Sequence, residues 1–224
     1  MFDFLRAPPG GPRVLTGHID GLITLNAEEA DDAKRERMRH DLREPYRTLL
    51  GHFRHEVGHY FWDRLVRDTK WLEPYRALFG DERADYAAAL KANHDNGPPA
   101  DWATRFISSY ASTHPWEDWA ETWAHYLHVV DSLDTALGFG LDADDLEAEA
   151  EPFTRADLYA PEDPGAESFL YLLNSWIEMT TVLNELARSM GQPDFYPFVM
   201  SRPVVAKLHF VHLVVRDARA ASTP

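Results

Sequence analysis

The stretch Phe53-Arg54-His55-Glu56-Val57-Gly58-His59-Tyr60-Phe61 decides how the rest of the chain is read. It contains His-Glu-x-x-His inside a segment whose apolar spacing predicts a helix from Glu44 to Arg67, with Pro45 in the first turn. On a helix, residues four apart stack on one face, so the imidazoles of His55 and His59 can grip one metal ion. Glu56 follows the first of them, where its carboxylate reaches a water rather than the metal. Zinc in such a site acidifies the water and the glutamate takes its proton, which makes a hydrolytic nucleophile. The flanking residues fit a buried helix with one polar face. Tyr46, Leu50, Phe53, Val57, Tyr60 and Phe61 fall on one side by the helical period, with His52, His55, His59 and Asp63 on the other.

Two histidines do not make a catalytic site, because a catalytic zinc takes three protein ligands and keeps a fourth position open. Two acidic segments compete to supply the third. A helix starting at Pro115, capped by Thr113, carries Glu117, Glu121, His125 and His128 on one stripe and turns Trp119, Trp123, Leu127 and Val130 away. Its rival is Asp81, Glu82 and Asp85, although Arg83 lies among them and acids are ordinary at a helix start. A metzincin continuation is excluded, since Trp62 and Leu65 stand where it needs a glycine and a third histidine.

The segment Tyr110-Ala-Ser-Thr-His-Pro-Trp-Glu-Asp-Trp-Ala-Glu121 resembles the second-helix signature of gluzincin metallopeptidases of the anthrax lethal factor type. That resemblance implies Glu117 as the third zinc ligand, Glu121 as a partner of a ligating histidine, and Tyr110 as a phenol that stabilises the oxyanion. The blocks T-G-H-I-D-G-L-I-T-L-N, R-H-E-V-G-H-Y, F-G-D-E-R-A-D-Y and H-P-W-E-D-W-A-E-T-W-A-H-Y-L-H together resemble a bacterial family of zinc-binding metallopeptidases over nearly the whole chain. A zincin-like fold is the implied architecture. A cysteine-rich zinc ribbon often precedes this domain in that family. None is present here, so the expectation is a chain whose start is truncated or which does without that module. Chemistry supports the same roles: a phenol or imidazolium near a peptide carbonyl offsets the charge that attack builds on oxygen. Tyr110 is the preferred donor and His114 the reserve, while His125 reads as a core histidine.

Composition narrows the alternatives. A formal charge of −15 without any basic block argues against a nucleic-acid partner. With no cysteine there is no disulfide framework and no thiolate zinc site, which fits a reducing, cytoplasmic location. The N-terminus lacks the basic-then-apolar order of a secretory signal. Val204 to Val215, the longest apolar run, is too short to span a membrane and contains Lys207, His209 and His212.

The remaining segments suggest a single α+β domain, mostly helical, over residues 1–224. A first strand precedes the Pro/Gly stretch at Ala7–Pro12, and Val14–Asn26 reads as a hairpin turning at Asp20-Gly21. Residues 27–42 form an exposed charged helix, 71–80 a short one, and Asp81–Leu90 and about 100–110 two more. Residues 138–165 make a surface excursion, followed by helices near 165–189 and 203–219. The functional expectation is a zinc-dependent metallopeptidase acting on a peptide or protein. Its competitors are a catalytically silent zinc-binding protein of the same fold and a zinc hydrolase of a non-peptide amide. A degenerate site usually loses its base first, and Glu56 is present.

Overall fold

At Asp20 and Gly21 the backbone takes positive φ, 48° and 81°, the conformation that closes a two-residue hairpin with the twist of its strands. Gly21 tolerates it because it has no Cβ. The hairpin joins β2 (Gly17–Ile19) to β3 (Leu22–Asn26), and β1 (Phe2–Leu5) lies parallel along the other side of β3. The result is a three-stranded sheet in the order β1-β3-β2. Ile23 and Leu25 point into the protein from its central strand. The structure is a computed structural model and describes residues 1–8, 10–12, 14–42, 48–146, 148 and 151–222.

Among the described residues seven α-helices follow: α1 (Asp32–Leu42), α2 (Leu49–Leu65), α3 (Leu72–Phe79), α4 (Tyr86–Asn96), α5 (Pro115–Gly138), α6 (Ala166–Ser189) and α7 (Arg202–Ser222). The α+β, mostly helical expectation with a small N-terminal sheet therefore holds. Within the described residues α2 is capped by Thr48, whose side chain accepts from Gly51 N at 2.9 Å and satisfies a first-turn donor. Glu44, Pro45 and Tyr46, assigned to this helix from sequence, lie outside the described residues.

Two expected helices, from Asp81 and over 100–110, differ from the structure for one reason: short polar side chains bind nearby backbone and compete with the helix. Asp81 is drawn into a turn with Arg83, and the Asp85 carboxylate accepts from Ala88 N at 3.0 Å, so the helix expected from Asp81 begins at Tyr86. No α-helix forms over 100–110. Short 3-10 turns at Trp102–Thr104 and Tyr110–Ser112 stand there instead, and Ser108 Oγ accepts from Ala111 N at 3.0 Å. The cap of α5 is His114, not Thr113: its Nδ1 accepts from Trp116 N at 3.1 Å, with Pro115 in the first turn.

The faces of α2 also need correction. His55, Glu56, Gly58, His59 and Trp62 are its buried residues, whereas Leu50, on the stripe read as apolar, is 54% exposed. Periodicity shows which residues share a face but not which face points inward. Here the polar stripe turns in because α5 offers carboxylates to meet it. That helix is central, packing on α2, α3, α6 and α7, and both of its stripes are buried. Trp119 sits at the heart of an aromatic cluster with Tyr75, Phe79, Trp123 and Phe210. One ion pair lies in this core. Lys207 Nζ of α7 meets Asp118 Oδ2 of α5 at 2.6 Å, donates to Arg105 O at 2.9 Å and lies 4.3 Å from the Phe106 ring centroid. No described helix is long and apolar enough to cross a membrane.

Candidate metal centre

Gly58 sets how closely α2 and α5 cross. A Cβ built on it would lie 3.0 Å from Ala120 Cα and 3.2 Å from Ala120 O, so only glycine lets the two backbones meet there. Its carbonyl also accepts from Trp119 Nε1 at 2.9 Å. Glu117 lies one turn before Ala120, and this contact carries it onto the face that holds His55 and His59.

Three donor atoms converge at that crossing. His55 Nε2 lies 3.2 Å from His59 Nε2, and Glu117 Oε2 lies 3.0 Å from the first and 3.5 Å from the second. Donors at bond lengths of about 2.0–2.1 Å around a tetrahedral zinc stand about 3.3 Å apart, so the observed triangle is the size that ion needs. Glu117 Oε2 is buried and makes no hydrogen bond, though it lies within ion-pair distance of both imidazoles. A buried carboxylate oxygen in that condition is costly unless a cation meets it. Among the described residues this is the one set of three such side chains close enough to hold a metal.

The surroundings fix each ligand. His55 Nδ1 donates to Glu121 Oε1 at 2.6 Å, which leaves the Nε2 lone pair for the cluster. Ser108 Oγ donates to the other oxygen of Glu121 at 2.6 Å. The Tyr86 hydroxyl donates a short hydrogen bond to Glu117 Oε1. The His59 ring lies 4.3 Å from the Trp116 ring.

Electrostatics point the same way. Burial works against a charged His55, yet Glu117 and Glu121 outweigh it and raise its pKa well above the usual imidazole range. His59 is lowered, chiefly by burial. Burial opposes charge on Glu117 and Glu121 too, but the histidines hold Glu117 well below the carboxylate range and take Glu121 to about 2. Glu117 is thus ionised beside the two imidazoles, and Glu121 is ionised behind His55, against its Nδ1. Glu56 is buried but outside the donor triangle. Burial pushes its pKa up to about 7, His55 opposing and Glu117 adding. Tyr110, 38% exposed, stands at the rim with its ring 5.9 Å from that of His55.

Other candidates go elsewhere. Glu82 is held by Arg76 through two hydrogen bonds at 2.9 and 2.5 Å, Asp81 by Arg83, and Asp85 caps α4, so the rival ligand set is spent on local structure. His114 is equally committed: besides its capping bond, Nε2 donates to Ala84 O at 3.1 Å, which removes it as the reserve oxyanion donor. His125 is a core histidine bonded to Tyr196 at 2.7 Å. The sequence reading missed Tyr86 and Ser108. The only trace of Tyr86 was its place at the end of the F-G-D-E-R-A-D-Y block.

A His2Glu donor set on two crossing helices, in a mostly helical α+β fold, defines the class as a zinc-site protein. More specifically, the chain belongs to the family described as "Putative zinc-binding metallo-peptidase", which it matches over residues 1–214. It is also 46% identical over 205 residues to an uncharacterized protein of Mycobacterium bovis. Uncharacterized proteins from two Mycobacterium tuberculosis strains match to the same extent. The match covers 91% of this chain and 57% of each relative, so the chain spans a little over half the length of these curated relatives. No solved structure matches it.

Proposed function

We propose that the protein is a zinc-dependent peptidase of the gluzincin type, with His55, His59 and Glu117 as ligands, Glu56 as general base and Tyr110 as oxyanion donor. The observation that carries this reading is the donor triangle of zinc dimensions, with a buried carboxylate beside it that takes no part in it. Zinc held there would acidify a water and polarise the carbonyl of a peptide.

The chain's own residues supply the rest. Glu56 accepts the proton of the attacking water and can return it to the leaving amine, and burial raises its pKa in the metal-free protein, which makes it a better base than an exposed glutamate. Glu121 holds His55 in the tautomer that presents Nε2, and Ser108 steadies Glu121. The Tyr110 hydroxyl stays protonated, its pKa raised by burial and by Glu117, so it can donate to the oxygen where charge develops.

The test is a peptide-library cleavage screen of wild type, Glu56→Gln and Tyr110→Phe, with zinc content measured on the same samples. Wild type should carry about one zinc per chain, given a single three-ligand site. Glu56→Gln should keep the zinc and lose hydrolysis, because glutamine cannot accept the proton. Tyr110→Phe should keep the zinc and lose turnover on the order of 10²-fold. Equal cleavage by wild type and Glu56→Gln would remove Glu56 as the base. A zinc-loaded wild type that cleaves nothing across a broad library would favour a silent zinc-binding protein.

A further inference from the structure

Glu117 presents its two oxygens to different partners. Oε2 faces the two imidazoles, while Oε1 accepts a hydrogen bond from the Tyr86 hydroxyl. A donor on one carboxylate oxygen draws charge from it and occupies one of its two lone pairs, which favours metal binding through the other oxygen and keeps a coordination position open for water or substrate. The Tyr86 ring is set by packing: it meets His114 edge-on at 5.2 Å and Trp116 at 6.1 Å, and Asp85 caps the helix on which it is the first residue.

We propose that Tyr86 is a positioning residue that biases Glu117 toward offering a metal one oxygen, Oε2, by holding the other. The inference rests on the zinc-site reading above. It acts through Glu117 and needs no contact between Tyr86 and substrate.

The experiment compares wild type, Tyr86→Phe and Tyr110→Phe loaded with zinc or cobalt(II). Tyr86→Phe keeps the packed ring and removes only the donor. Its Glu117 should then engage metal through both oxygens, weakening the visible cobalt absorption as coordination number rises, and its zinc affinity should fall about tenfold. Tyr110→Phe leaves the Tyr86–Glu117 bond intact and should match wild type in both measurements. Tyr86→4-aminophenylalanine, which restores a donor at the same place, should recover the wild-type spectrum. In wild type itself, the infrared carboxylate stretches that change on zinc loading should be widely split, as one-oxygen ligation requires. This last measurement decides the matter even if the phenylalanine variant does not fold. A Tyr86→Phe protein with wild-type spectrum and affinity, or narrowly split stretches in wild type, would overturn the inference and leave the zinc site standing. A wild type that binds neither metal would overturn both.

Discussion

Replacing Gly58 with alanine opposes two effects of known size. Alanine is the better helix former by about 1 kcal/mol, so α2 alone would be strengthened. Against that, the new methyl would stand 3.0 Å from Ala120 Cα, 3.1 Å from Trp123 Cβ and 3.2 Å from Ala120 O. Two of those atoms are backbone of a buried helix and cannot rotate aside. Overpacking of this kind costs about 1–3 kcal/mol, so the metal-free protein should lose about 1 kcal/mol on balance. The effect on the site is sharper. Relieving the contacts needs the helices to part by roughly half an ångström, whereas metal–ligand distances tolerate about 0.2 Å. Since Glu117 rides on α5 and the histidines on α2, zinc affinity should fall by about tenfold or more. Urea denaturation of metal-stripped protein gives the first quantity and competition with a chelator the second. A Gly58→Ala protein that is about 1 kcal/mol more stable with unchanged zinc affinity would refute the argument that this crossing sets the donor triangle.

Other perturbations separate the remaining assignments. Glu117→Ala should lose most zinc affinity and Glu82→Ala almost none, since Glu82 is engaged by Arg76; Glu121→Ala should fall between, at about ten- to a hundredfold, read by the same competition. Lys207→Met strands the buried Asp118 carboxylate and should cost about 3–5 kcal/mol, much of it recovered in the Asp118→Leu/Lys207→Met double variant, measured by urea denaturation. His209 gives a pH dependence: burial, helped by His212, lowers its pKa to about 4 in the fold. The unfolded chain, with an ordinary histidine pKa near 6.5, takes up the proton first, so stability is full above about pH 6.5 and falls as pH drops toward the folded value. At pH 5 the loss from this one residue is about 2 kcal/mol, and His209→Gln should remove that part of the slope between pH 7.5 and 5.

The site was legible in the sequence where helical spacing carries the information. His55 and His59 share a face because they are four residues apart, and Glu117 and Glu121 do so for the same reason. What spacing could not supply was tertiary. The acids at 81–85 were a rival by spacing that Arg83 and the resemblance argued against, and only the fold shows all their partners, Arg76, Arg83 and the first turn of α4. Which stripe of α2 points inward depends on what α5 presents to it, and a polar stripe is buried only when its complement exists. Tyr86 reaches Glu117 across a fold-dependent gap between two helices, and no local pattern marks that contact. The serine-rich turn before Tyr110 broke a helix because Ser108 found a backbone partner, a choice that helix periodicity does not register.

The glycine crossing has a further consequence for the life of the protein. The donors sit on two helices far apart in sequence, so an ion between them acts as a removable cross-link around everything from α3 to the turn at Tyr110. A ligand that binds only the folded form adds about 4 kcal/mol at a thousandfold excess over its dissociation constant. Small domains are stable by only about 5–15 kcal/mol, so that addition is a large share of the total. Zinc supply would then govern the abundance of the protein as well as its chemistry. Chains made under metal starvation would open this loop more often and meet the cell's proteases sooner.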